Sequence, residues 1–146
     1  MYVRMQMHNL CFPPSRMPGV HVPHRHQTHQ LPRAFAHRQV PDAPPVLWLK
    51  GNPLLPVVRV AVVGTRRATS YGRRVVRDLC RDLVAGGVET VSGLALGIDG
   101  AAHEETIRLG GRTLAVLACG LDVALGSDRD ALKQRIVSSG GTLLSE

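Results

Sequence analysis

Val-Ala-Val-Val-Gly-Thr-Arg at residues 60–66 and Val-Ser-Gly-Leu-Ala-Leu-Gly-Ile-Asp-Gly-Ala-Ala-His at residues 91–103 follow one pattern. Each starts as a β-branched, apolar run, breaks at glycine and opens into a helical spacing. That is the strand–turn–helix unit of a parallel α/β sheet, present twice. Both turns then emerge at the carboxyl ends of their strands, the edge at which such sheets bind ligands. Backbone N–H groups at two helix N-termini, joined by Arg66, make an anion the natural guest.

Working outward, Arg59–Val63 reads as a central strand, nearly all apolar and therefore buried on both faces. A helix is predicted over 71–85, capped by Thr69 or Ser70, with Val75, Val76, Leu79, Cys80, Leu83 and Val84 on its core face. Arg73, Arg74, Arg77 and Arg81 fall on the outer face, where Asp78 and Asp82 are interspersed; this reads first as a solvated surface. Gly86–Gly87 stops that helix. The same cycle repeats: strand 89–92, helix 98–109, strand 113–119, a helix from Ser127 or Asp128 to Val137, and strand 142–144. Upstream, residues 44–52 suggest a short strand ending at Gly51–Asn52, with Trp48 packed at the domain edge. The expected fold is a Rossmann-like parallel sheet in αβα layers, spanning 44–146. It looks incomplete, because the sequence stops at Glu146 directly after a strand.

Residues 1–43 are different material. They hold six of the seven His and six of the ten Pro, with no periodicity, and read as a disordered basic leader. Five Arg against Asp42 give this leader +4 of the formal net charge of +7; residues 44–146, with thirteen Lys+Arg against ten Asp+Glu, supply the other +3. Such a balance favours a polyanionic or nucleotide partner only mildly. His24, His26 and His29 could meet a metal adventitiously, but no dedicated metal site is expected. Cys11, Cys80 and Cys119 share no ligand spacing and suggest no disulfide framework, so a reducing cytoplasm is the default compartment. No apolar run is long enough for a membrane span.

Gly64 lets the chain turn closely at the strand end, bringing the amides of Thr65 and Arg66 toward an anion. Thr65 adds a hydroxyl and Arg66 a forked, permanently charged donor suited to phosphate. Gly93 and Gly97 bracket the second turn. Asp99, in the first turn of its helix, reads as a structural acceptor of neighbouring amides, with a sugar hydroxyl as the functional alternative. His103 lies one helical turn further on the same face and reads as a hydrogen-bonded packing residue rather than a catalytic one. Asp122, after Gly120, could touch the same cleft. Neither a Walker A sequence nor G-x-G-x-x-G occurs, which argues against a nucleoside triphosphatase or a dinucleotide oxidoreductase, and no cofactor is expected.

The series VAVVGTRRATSYG (60–72), VSGLALGIDGAAH (91–103), GGRTLAVLACGLD (110–122) and GTLLSE (141–146) resembles the DprA/Smf family of DNA-processing proteins. The resemblance implies single-stranded DNA binding in natural transformation and recombination, help in loading the RecA recombinase, a homodimer, and no enzymatic turnover. Gly64, Thr65, Arg66 and Thr69 match the family's Gly-Ser-Arg-x-x-Ser loop, Thr replacing Ser twice. Ser92, Gly93, Gly97 and Asp99 match Ser-Gly-x-Ala-x-Gly-Ile-Asp, His103 its Ala-His pair, and Gly120–Asp122 its Gly-Leu-Asp. The implied DNA and phosphate contacts are therefore Gly64, Thr65, Arg66, Thr69, Ser92, Gly93, Gly97, Asp99 and Gly120, with His103 and Asp122 secondary or structural. Two departures stand out: Ala124–Leu125 occupy the place of a usual Tyr-Pro, and the family's Arg-Asn-Arg segment beyond Ser145–Glu146, with much of its dimer surface, does not follow. Two other readings are an inert truncated fragment and a nucleotide-processing phosphoribohydrolase. The latter group carries Pro-Gly-Gly-x-Gly-Thr and a nearby catalytic Glu, neither of which is present.

Overall fold

The computed structural model describes residues 46–146, together with the backbone of residues 7–8 and 27–29. Disorder across the leader and metal contact at His24, His26 and His29 concern positions or side chains outside that description.

Among the described residues, ten elements follow in chain order. They are β1 (Met7–His8), β2 (Gln27–His29), β3 (Leu47–Gly51), β4 (Arg59–Ala61), α1 (Ser70–Ala85), β5 (Glu89–Ser92), α2 (Ile98–Arg108), β6 (Thr113–Val116), α3 (Ser127–Ser138) and β7 (Thr142–Ser145). One sheet takes all seven strands in the order β1-β4-β5-β6-β7-β3-β2. Its centre, β4 to β7, is parallel and runs in sequence order, while β3 pairs antiparallel with β7, and β1 and β2 add short antiparallel edges. The expected Rossmann-like parallel sheet is thus present.

Neighbouring parallel strands joined in sequence order by right-handed crossovers must carry their helices on one face. Accordingly α1 packs on α2 and α2 on α3. Among the described residues the helices form this single layer, so of the expected αβα layering one helical side is present here, because strands paired in sequence order send every crossover to the same face. Beneath it lie two apolar clusters. Val60, Val62, Val76, Cys80, Ile98 and Ala102 join β4, α1 and α2; Ala115, Leu117, Leu132, Ile136 and Leu143 join β6, β7 and α3. The α1 spacing read from sequence is realised: Val76, Cys80 and Leu83 are buried, and Arg73, Arg74, Arg77 and Arg81 face solvent.

Two strands stop earlier than their apolar runs suggest. After β4, the Val62 N–H still reaches the Val91 carbonyl at 2.9 Å, and after β6 the Leu117 N–H reaches Leu144 at 2.8 Å. Beyond these bonds the chain leaves the ladder to form the loops. No helix among the described residues is long and apolar enough to cross a membrane.

At the opposite, amino-terminal edge lies a buried charge cluster. Arg59 Nε sits 2.5 Å from Glu89 Oε2, the two side chains being 5% and 1% exposed, and Arg112 Nε lies 3.5 Å from Glu89 Oε1. The paired N–H vectors are not aligned on the oxygens, so the attraction is coulombic rather than a directed hydrogen bond. Arg59 also donates to the Leu55 carbonyl at 2.7 Å, fixing the chain that enters β4. Removing one partner of such a pair strands a buried charge. Glu89→Ala is expected to lower the unfolding free energy by about 3–5 kcal/mol, read by urea denaturation followed by circular dichroism.

Candidate anion-binding site at the carboxyl edge of the sheet

The two glycine turns meet. Gly64 lies against Ile98: a Cβ there would stand 2.8 Å from Ile98 Cγ1, so a larger residue would drive the turn away from α2. Gly97, at φ +89°, lies so close to the backbone of Thr65 and Arg66 that a Cβ would overlap it. The Ile98 N–H closes the junction by donating to the Thr65 carbonyl at 3.1 Å.

Asp99 holds both turns at once. Its Oδ1 accepts the Gly64 N–H and its Oδ2 the Gly93 N–H, each at 3.2 Å, and the residue is buried. The structural reading of this carboxylate is what the geometry shows. It also alters the expectation for the glycines, because the Gly64 and Gly93 amides already have an anionic partner. What remains open is further out. Among the described residues, none accepts a hydrogen bond from the N–H groups of Thr65, Arg66, Leu96 or Gly97.

Other expected contacts are committed to the frame. Ser92 is buried, and its hydroxyl donates to the Val62 carbonyl at 2.6 Å, tying β5 to β4 rather than facing a ligand. Thr69 is the α1 cap, its Oγ1 accepting the Gly72 N–H at 3.1 Å. Thr65 Oγ1 accepts the Arg67 N–H at 3.1 Å, which shapes the turn while leaving the hydroxyl exposed. Arg66 is exposed and takes part in no ion pair among the described residues. Gly120 and Asp122 stand apart, with their loop turned toward α3. Lys133 Nζ donates to the Leu121 and Val123 carbonyls, and Asp122 lines a separate cleft with Lys50 and Lys133.

His103 is fully buried under the sheet, with Nδ1 2.7 Å from Thr113 Oγ1. Burial pushes its pKa from 6.5 down to about 4, partly offset by a hydrogen bond to the Ser92 backbone. The ring is therefore neutral and serves to join α2 to β6. Cys80 is buried too, its thiol pushed up by desolvation, and Cys119 is half-buried; both are free. Among the described residues no cluster of three or more His, Cys, Asp or Glu is placed to hold a metal. Sequence reasoning passed over Leu94, which takes φ +56° in the second turn, and the exposure of Leu96 beside Gly97.

A central parallel sheet whose carboxyl edge presents an arginine and open amides at two helix-opening turns defines a Rossmann-like α/β domain. Residues 25–146 match the family described as DNA recombination-mediator protein A, and the chain belongs to that family. It is 46% identical over 101 residues to the protein assigned as DNA processing protein DprA in Mycobacterium tuberculosis, a match covering 67% of this chain and 26% of that relative. It is 38% identical over 106 residues to protein Smf of Escherichia coli, covering 72% of this chain and 28% of that one. The chain therefore spans little more than a quarter of these relatives. DNA processing protein A of Helicobacter pylori, described for its unique single-stranded DNA binding mode, matches with a TM-score of 0.66 at 31% identity, over 83% of this chain and 55% of that one. The Streptococcus pneumoniae protein gives a TM-score of 0.68 at the same identity, over 84% and 44%.

Asp99→Ala is expected to release both turns, costing about 2–4 kcal/mol and abolishing hydrogen-exchange protection at the Gly64 and Gly93 amides. His103 carries a pH signature. Its folded pKa lies below the unfolded value, so the unfolded chain binds the proton more tightly. Stability present above pH 6.5 is therefore lost as pH falls toward 4, by up to about 3 kcal/mol. Urea midpoints across that window should fall more steeply for the native chain than for His103→Gln.

Proposed function

We propose that this chain provides a single-stranded DNA-binding edge of the kind used by DNA-processing proteins in natural transformation and recombination, there helping RecA onto the strand. One observation carries the reading: Arg66, exposed and in no ion pair among the described residues, stands beside open amides at a junction that Asp99 and two close-packed glycines make rigid. A backbone phosphate is the ligand that this donor set suits, since it accepts from a guanidinium fork and from amides together. Thr65 and Arg66 are the direct contacts, and Gly64, Gly93 and Gly97 allow the close approach. Ser92, Thr69, Asp99 and His103 hold the frame. The H. pylori relative's single-stranded DNA binding supports the choice of polymer.

The role is binding rather than turnover. Two acid–base groups of α2 are already engaged, Asp99 at the junction by two amides and His103, deeper in the layer, by Thr113. Fluorescence anisotropy of a labelled oligo-dT tests the site. Arg66→Ala is expected to weaken binding about 10- to 100-fold, the value of a charge-assisted contact, while the native affinity falls as salt rises. Unchanged affinity in Arg66→Ala would remove the junction from the binding surface.

A further inference from the structure

Between Gly64 and Arg77 the sequence carries five arginines, Arg66, Arg67, Arg73, Arg74 and Arg77, and no acidic residue. All five side chains are exposed, and none forms an ion pair among the described residues. Elsewhere in the helical layer Arg81 pairs with Asp78, Arg108 with Glu105 and Lys133 with Asp130. Arg129 and Arg135 of α3 form no ion pair among the described residues, but they are single charges on a helix that also carries Asp128 and Asp130, rather than a tract. An ordinary solvated face intersperses its signs; here the pairing starts only where the tract ends.

The tract also has a direction. Arg66 and Arg67 sit in the turn, and Arg73, Arg74 and Arg77 occupy the first turns of α1. Arg73 and Arg77 are one helical turn apart along the axis, about 6 Å, and Arg74 lies on the adjoining flank. The hydrogen bond from Arg108, with the charges of Arg77 and Arg81 added, holds the Glu105 carboxyl below the usual range. Tyr71 stands between the turn and the helical arginines and is 65% exposed, the most open large apolar side chain of the described residues. Nothing in the packing of α1 requires an aromatic ring there.

We infer that single-stranded DNA leaving the Arg66 junction continues along the outer face of α1, with Arg73, Arg74 and Arg77 contacting successive phosphates and Tyr71 stacking on a base. The inference rests on the proposed DNA-binding edge and adds the path of the strand. Cationic residues along a groove with an interposed aromatic ring are the ordinary means of holding a single strand without sequence preference.

Anisotropy titrations of the full chain with oligo-dT of 4 and 20 nucleotides test this. The double variant Arg74→Gln/Arg77→Gln is compared with the charge-matched control Arg81→Gln/Arg135→Gln, and thermal melts confirm that both fold. The expected result is that the 4-mer binds both variants alike. The 20-mer should lose affinity selectively with the tract variant, and its log–log salt slope should fall by about 1.4, or about 0.7 per phosphate. Tyr71→Ser should weaken the 20-mer about 5- to 150-fold and Tyr71→Phe should restore it. Equal effects of tract and control variants on the 20-mer would overturn the path, leaving only general charge. If Arg66→Ala has no effect while the tract variant loses binding, the junction reading fails and the helix face alone binds DNA.

Discussion

The Asp99 carboxylate is the point on which the carboxyl edge of the sheet depends. Two strand-to-helix turns that come from different crossovers have no reason to hold a fixed distance, because each belongs to its own β–α unit. One buried carboxylate accepting an amide from each removes that freedom. It does so at the start of α2, where the helix dipole favours its charge. The cost of burying an ionised group is offset only because both oxygens are satisfied. Gly64 and Gly97 make the arrangement possible, since any side chain at either would separate the turns. The carboxylate thus takes the innermost anion position and pushes the open donors, Thr65 and Arg66, to the rim. That rim is the part of the junction open to solvent.

A second set of buried polar contacts carries the register of the sheet to this edge. Thr106 Oγ1 donates to Thr90 Oγ1 at 2.9 Å, Thr113 Oγ1 to the Thr90 carbonyl at 3.0 Å, and Ser92 to Val62. His103 joins them through Thr113. Apolar packing alone would let α2 slide over the strands; directed bonds at these positions fix α2, and with it Asp99. At the far edge the Arg59–Glu89 pair aligns β4 and β5 across the same register that ends in the two turns. The whole central sheet serves to set the distance between two loops.

Much of this was legible in the sequence. The run of strands and helices followed from periodicity and glycine stops, and the Val75-to-Val84 spacing gave the buried face of α1. Asp99 as amide acceptor followed from its position in a first turn, and the cap of α1 was narrowed to Thr69 or Ser70, of which the structure takes Thr69. Side-chain direction at strand ends was not legible. Ser92 could face the ligand or the neighbouring strand, and only the closeness of the Val62 carbonyl decides. Glu89 and Arg59 lie thirty residues apart and begin strands, where charges usually meet water; their burial is a property of the pairing. The Gly120–Asp122 loop is placed by Lys133, a contact that no local pattern announces. Strands of two and three residues, such as β1 and β2, are too short for any periodicity to mark.

The proposed DNA contact is the carboxyl edge at the Asp99 junction. The most direct measurement is a ¹⁵N–¹H correlation spectrum of the full chain titrated with an unlabelled oligo-dT. Amides of Thr65, Arg66, Leu96 and Gly97 are expected to shift together and saturate at one oligonucleotide concentration. Those of Gly87, Glu89, Gly110 and Arg112, at the opposite edge, should stay in place. Shifts confined to the opposite edge, or spread over the surface without saturation, would contradict it.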